Sequence, residues 1–169
     1  MSENQKNDDP SRDTLETLYE KMNRVFRRNL EKAGALTEES FEKALKESRE
    51  WARQLKDHYA EDIPKVTEFL RRDFQEAVRQ AGDQTRRSLD LNRIGAGVMG
   101  LVQRMAQKAG SQLDSFASKL DERLAYKTGE VAGPGTLTCT QCSQQLVFDA
   151  ATRIPPCPKC HNTGFRRSY

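Results

Sequence analysis

Four cysteines in two pairs of equal spacing, Cys139-Thr-Gln-Cys142 and Cys157-Pro-Lys-Cys160, constrain this chain more than any other feature it carries. A two-residue gap lets both sulfurs of one tight turn face a common point. The fourteen residues between the pairs suffice for a hairpin that brings the second turn back to the first, the usual layout of a zinc site. Four thiolates in a tetrahedron suit one Zn²⁺ at about 2.3 Å from each sulfur. With all four positions filled by protein, the expected role is structural and not catalytic. Energetics point the same way. A module of about 40 residues rarely buries enough apolar surface to fold alone, and structural zinc supplies about 10–16 kcal/mol of apparent binding free energy in small domains.

Other chemistries of the same residues fit less well. Iron in a rubredoxin-like arrangement also takes four thiolates, and the sequence separates the two metals poorly. Two disulfides would require export, yet Met1 to Pro10 is polar and acidic and lacks the basic-then-apolar layout of a signal peptide. A thioredoxin-like redox pair needs a βαβ context that the pattern does not supply. Cys157-Pro-Lys-Cys160-His161 matches the haem-attachment string, but that reading leaves Cys139 and Cys142 without a role. His161 is a possible competing ligand; its place directly after Cys160 suits a turn residue that tolerates positive φ. The longest apolar run, Ile94 to Val102, has nine residues, three of them glycine, against about 20 for a membrane span. The expected compartment is therefore the reducing cytoplasm, with no membrane contact.

Upstream of the cysteines the chain reads as helix. Residues 1–10 have little to bury and are expected to be a disordered leader. Asp13, with Glu16 three residues later, predicts the first N-cap, and Leu15, Leu18, Met22, Val25, Phe26, Leu30 and Ala33 fall on one face of a 3.6-residue period up to Gly34. Thr37 predicts a second cap, with Glu38 and Glu39 in its first turn and a stripe through Phe41, Leu45, Ala52, Leu55, Tyr59 and Ile63. Pro64 starts a third helix or kinks a continuing one, and Val66, Leu70, Phe74, Ala77 and Ala81 carry the stripe toward Gly82.

The same period recurs from Arg86 to Lys127 through Ile94, Val98, Leu101, Met105, Ala109, Leu113, Phe116, Leu120 and Leu124. Gly110 and Ser111 offer a place to divide that stretch. The composition changes at Gly129, where Gly133, Pro134 and Gly135 follow closely. Beyond it, Thr136–Thr138 and Leu146–Phe148 are short β-compatible runs. The expected fold is mainly α: a long amphipathic helical hairpin or bundle with coiled-coil character over 11–128, then a small β zinc ribbon over 129–169.

Charge narrows the function further. Of 28 Lys and Arg and 25 Asp and Glu, residues 129–169 hold only Arg153, Lys159, Arg166 and Arg167 against Glu130 and Asp149. The 24 basic and 23 acidic residues before them describe a solvated helix surface better than a phosphate-binding face. Arg24, Arg27, Arg28, Arg71, Arg72, Arg86 and Arg87 all have carboxylates nearby, so i,i+4 pairing on an exposed face is expected. Gly95-Ala-Gly97-Val-Met-Gly100 matches a dinucleotide-binding string but lacks the preceding strand, and reads as close helix packing or local weakening. Trp51 is expected at the core edge and His58 in solvent. No nucleophile, base and oxyanion set is evident.

Gly129-Glu-Val-Ala-Gly-Pro-Gly-Thr-Leu-Thr-Cys139-Thr-Gln-Cys142, followed by Cys157-Pro-Lys-Cys160 and Phe165-Arg-Arg, resembles the YbeL-like zinc-ribbon-containing proteins of bacteria. The specific likeness covers about the last 40 residues. It implies a cytoplasmic bacterial protein whose four matching cysteines bind the metal, in a family without an established activity. His161 departs from the glycine expected after the last cysteine. The leading functional expectation is a non-enzymatic interaction protein, in which the ribbon meets a protein partner and the helices give reach or self-association, with no small-molecule substrate. The alternative is a nucleic-acid-binding or transcription-associated ribbon using Arg153, Lys159, Arg166 and Arg167.

Overall fold

A computed structural model describes residues 14–55, 59–84 and 124–168. Three helices, α1 (Leu15–Ala33), α2 (Glu38–Arg53) and α3 (Ile63–Gln84), precede six short strands. Helix α1 is capped by Thr14 and not by Asp13: the Thr14 hydroxyl accepts the Thr17 N–H at 3.2 Å, satisfying a donor that the first turn leaves unpaired. The helix stops at Gly34, which takes a left-handed φ of 72° and donates its N–H back to Glu31.

Helix α2 begins as its sequence dictates. The Thr37 hydroxyl accepts the Ser40 N–H at 3.1 Å, and the Ser40 hydroxyl accepts the Thr37 N–H at 2.9 Å. Thr37→Ala removes one half of this reciprocal cap and is expected to cost about 1 kcal/mol, read as a lower urea midpoint. The stripe predicted to continue to Ile63 does not stay on one helix, because α2 ends at Arg53. Tyr59 is still buried, from a turn, and α3 then starts with Pro64 in its first turn, where the missing N–H costs nothing.

The bundle closes on three rings, one from each helix. Phe26 meets Phe41 and Phe74 edge-on at centroid distances of 5.8 and 5.2 Å, while Phe41 and Phe74 stack at 5.1 Å. Around them lie Leu18, Met22, Leu30, Leu36, Leu45, Val66, Leu70 and Ala77, all fully or nearly fully buried. Trp51 packs at the edge of this core. Arg71 on α3 grips Glu42 on α2 with both terminal guanidinium nitrogens, one of them at 2.9 Å, an exposed pair of modest worth.

The C-terminal part consists of β1 (Tyr126–Lys127), β2 (Val131–Ala132), β3 (Gly135–Cys139), β4 (Gln145–Phe148), β5 (Thr152–Arg153) and β6 (Gly164–Ser168). Four of them form an antiparallel sheet in the order β1-β6-β3-β4, and β2 pairs with β5. The two predicted β runs are β3 and β4. Helical periodicity wrongly extends to Lys127: Tyr126 instead lies opposite Phe165, and both are buried with Leu137, Ile154 and two of the cysteines. Pairing thus starts just before the compositional change at Gly129. The coiled-coil character expected over 11–128 is not evident in the described helices, which form a short three-helix bundle; the expectations for residues 1–10, His58, Gly95, Gly97, Gly100 and the rest of 85–123 fall outside the described residues.

Several contacts join the two parts. Strand β2 lies against α3 and α1, and Val131 is buried in the helical core rather than the ribbon's own. Helix α3 therefore buries two faces. One holds Phe74 and its neighbours, and the other holds Arg72 and Asp73.

Candidate metal centre

The four cysteine sulfurs converge, each within 4.8 Å of the others. Cys139 and Cys160 approach to 3.6 Å, and Cys142 and Cys157 to 3.5 Å. A disulfide requires about 2.05 Å, and all four cysteines are free. A tetrahedron of sulfurs at about 2.3 Å from a central ion has edges of about 3.8 Å. The donor set thus fits one tetrahedral thiophilic ion.

The two knuckles are built alike. Ser143 donates its N–H to the Cys139 carbonyl at 3.1 Å, and His161 donates its N–H to the Cys157 carbonyl at 2.8 Å. Ser143 and His161 both take a φ of 59°. His161 is exposed and lies outside the sulfur cluster, so it serves the turn and not the ion. Left-handed backbone costs a non-glycine residue about 1–2 kcal/mol. His161→Gly is expected to stabilise the ribbon by about 0.5–1 kcal/mol after the extra entropy of unfolded glycine, and His161→Val to destabilise it, both read from thermal unfolding of zinc-loaded protein.

Asn162 is the residue that sequence reasoning missed. From the second knuckle its amide donates to Cys139 Sγ at 3.5 Å, to Thr140 Oγ1 at 3.0 Å and to the Gly164 carbonyl at 2.9 Å, tying the two knuckles together. Its only signal is its position just beyond the last knuckle. Outer hydrogen bonds of this kind orient ligands and tune their charge. Burial works against the Cys139 thiolate, yet the Cys142 N–H, the Asn162 amide and the Gln141 N–H prevail and hold its pKa at about 6. Cys157 is lowered too: burial opposes it, and the Cys160 and Lys159 N–H groups outweigh burial. At Cys160 the Asn162 N–H favours the thiolate, but burial and the other three sulfurs push it up to about 12. Four adjacent thiolates need a dication among them, which is the chemistry a bound Zn²⁺ supplies.

The basic residues proposed to touch nucleic acid do not form one face. Lys159 and Arg166 are exposed. Arg153 is exposed but turned to Glu16 on α1 at 3.4 Å. Arg167 is buried: it donates to the Gly133 and Pro134 carbonyls and lies 3.6 Å from Asp73. Arg72 likewise leaves the solvated face expected of it, bonding Glu130, donating to the Val131 carbonyl at 2.9 Å and lying 3.4 Å from Asp73. Its guanidinium sits 3.9 Å from the centre of the Tyr126 ring.

Asp73 is the centre of this cluster. Its Oδ2 accepts the Tyr19 hydroxyl at 2.6 Å and the Gly133 N–H at 2.7 Å. Burial alone would raise its pKa, but Arg167, then Arg72, with the Gly133 N–H and the Tyr19 hydroxyl, hold the carboxyl below its ordinary value. Burial, followed by the charge of Asp73 and the bond to it, pushes the Tyr19 phenol well above its usual range. Gly133 has no room for a side chain, since a Cβ there would stand 2.7 Å from the Tyr19 hydroxyl and 3.3 Å from Asp73.

The model of a family described as a zinc-ribbon containing domain matches residues 28–169, taking in part of α1, all of α2 and α3, and every strand. No curated protein and no solved structure matches the chain. Among the described residues no helix is long and apolar enough to cross a membrane.

Proposed function

The chain belongs to the family of zinc-ribbon containing domains, and from that premise we propose that it is a non-enzymatic binding module for a protein partner, held in shape by one structural Zn²⁺. The observation that carries this reading is the donor set: four cysteine sulfurs gathered within 4.8 Å of one another. Four protein ligands complete a tetrahedral shell, whereas a catalytic zinc keeps a position open. The reading also places the protein in a reducing cytoplasm, where thiols persist as metal ligands. The helical part supplies reach or self-association.

Zinc-loaded full-length protein, cross-linked in cells, is expected to carry one reproducible protein partner that the Cys157→Ser form loses. Recovery of no such partner, together with turnover of a substrate by the purified chain, would refute the proposal. The nucleic-acid reading loses Arg167 to the interior and is left with Lys159, Arg166 and a half-engaged Arg153. It requires an affinity for DNA or RNA that falls steeply with salt and is reduced by Arg166→Ala.

A further inference from the structure

We propose that metal occupancy of the four-cysteine site controls whether the ribbon is latched onto the helical bundle, the latch being the buried contact of Tyr19 and Asp73 with Gly133 and Arg167. This goes beyond a static binding module. It makes the relation between the two parts a variable that the metal sets.

The latch draws on both parts. The bundle contributes Tyr19 from α1 and Arg72 and Asp73 from α3. The ribbon contributes Glu130, the Val131 carbonyl, the Gly133 N–H and Arg167. Two guanidinium groups and two carboxylates balance in charge, and Asp73 is only 1% exposed. Each half alone would leave its polar groups to water.

The ribbon half depends on the strands that the cysteines organise. Arg167 lies on β6 opposite Leu137 of β3, and β3 ends in Cys139, itself opposite Phe165 of β6. Gly133 lies between β2, which pairs with β5, and β3, which pairs with β4 and β6. A module of this size has too little apolar surface to keep those pairings without its metal. Losing them withdraws Arg167 and Gly133 from Asp73 and Val131 from the helical core.

A buried ion cluster contributes little net stability over its solvated parts, because desolvation offsets attraction. The latch holds only while β3 and β6 keep Gly133 and Arg167 in place, so it does not outlast the order of the ribbon. The bundle has what it needs to persist, since the three-phenylalanine core lies within the helices. Undocking without helix melting is the expected response to metal loss.

Linkage makes the effect reciprocal: the factor by which metal strengthens docking is the factor by which docking strengthens metal binding, so a weakened latch is expected to weaken zinc. The test uses the full-length chain. Zinc affinity is measured by competition with a chromophoric chelator for the wild type, Tyr19→Phe, Asp73→Asn and Gly133→Ala. Amide exchange along α1 and α3 is measured with zinc and after chelation, with helix content followed by circular dichroism. Chelation is expected to speed exchange on α3 around Asp73 and on α1 around Tyr19 while helicity persists. Asp73→Asn and Gly133→Ala are expected to weaken zinc about tenfold, within the usual 5–150-fold range of coupling between sites, and Tyr19→Phe less. Unchanged exchange on α1 and α3 after chelation would overturn the proposal, as would wholesale melting of the helices. So would variants that bind zinc within twofold of the wild type. Exchange in the unmutated chain decides the matter even if Asp73→Asn lowers helicity.

Discussion

Cys157→Ser, or exhaustive chelation of the wild type, is expected to abolish the order of residues 126–168. The expectation follows from how little else holds that region. Its strands are two to five residues long, and its apolar core consists of Tyr126, Ala132, Leu137, Ile154 and Phe165, with Cys139 and Cys157 completing it. Two of the seven core side chains are thus themselves candidate metal ligands, so removing a bound ion is expected to unravel packing as well. Structural zinc contributes about 10–16 kcal/mol in modules of this kind, more than the whole stability of many domains. Nuclear magnetic resonance of the full chain checks this directly: ribbon amide signals should collapse toward random-coil positions, and one equivalent of zinc should be released. Persistence of dispersed ribbon signals without metal would contradict the assignment of the cysteines.

Asp73→Ala carries the second large effect, an expected loss of about 3–5 kcal/mol in urea unfolding of the zinc-loaded protein. One carboxylate oxygen accepts from both Tyr19 and Gly133, and two buried guanidinium groups lie within 3.6 Å of the same side chain. Deletion leaves those donors and charges stranded where water does not reach. Asp62→Ala is the matched control: its pair with Lys65 is solvent-exposed and worth about 1 kcal/mol at most.

The direction of the Asp73 shift fixes the pH behaviour as well. A carboxyl lowered by folding adds stability that is fully present above the unfolded pKa of about 3.9 and is lost only as pH falls through the lower folded value. The cost of Asp73→Ala should therefore be flat between about pH 5 and 8. A penalty that shrinks inside that window would mean the carboxyl carries a proton in the fold.

Much of this architecture was legible because its causes are local. Cysteine pairs with two residues between their members mark the candidate metal site, Thr37 and Gly34 bound the helices by satisfying backbone groups a few residues away, and the period places Phe26, Phe41 and Phe74 on inward faces. What stayed hidden is the contact between the parts. Asp73 is separated by 54 residues from Tyr19 and by 60 from Gly133, and no periodicity links such positions. A charged residue on an amphipathic helix is by default a solvated one. That rule misplaced Arg72, because α3 is covered on a second face by β2. The same default misplaced Arg167, whose neighbour Arg166 on the strand does face water. The helical region was expected to run on to 128, whereas Tyr126 and Lys127 already form a strand.

The burial of Val131 among the helices has a practical bearing on how the protein is divided for study. Cut free at residue 126, the ribbon would carry that valine and the Arg167 guanidinium on an open flank, both deprived of the surroundings they were built for. Properties of such a fragment on that flank would report the scissors and not the native chain.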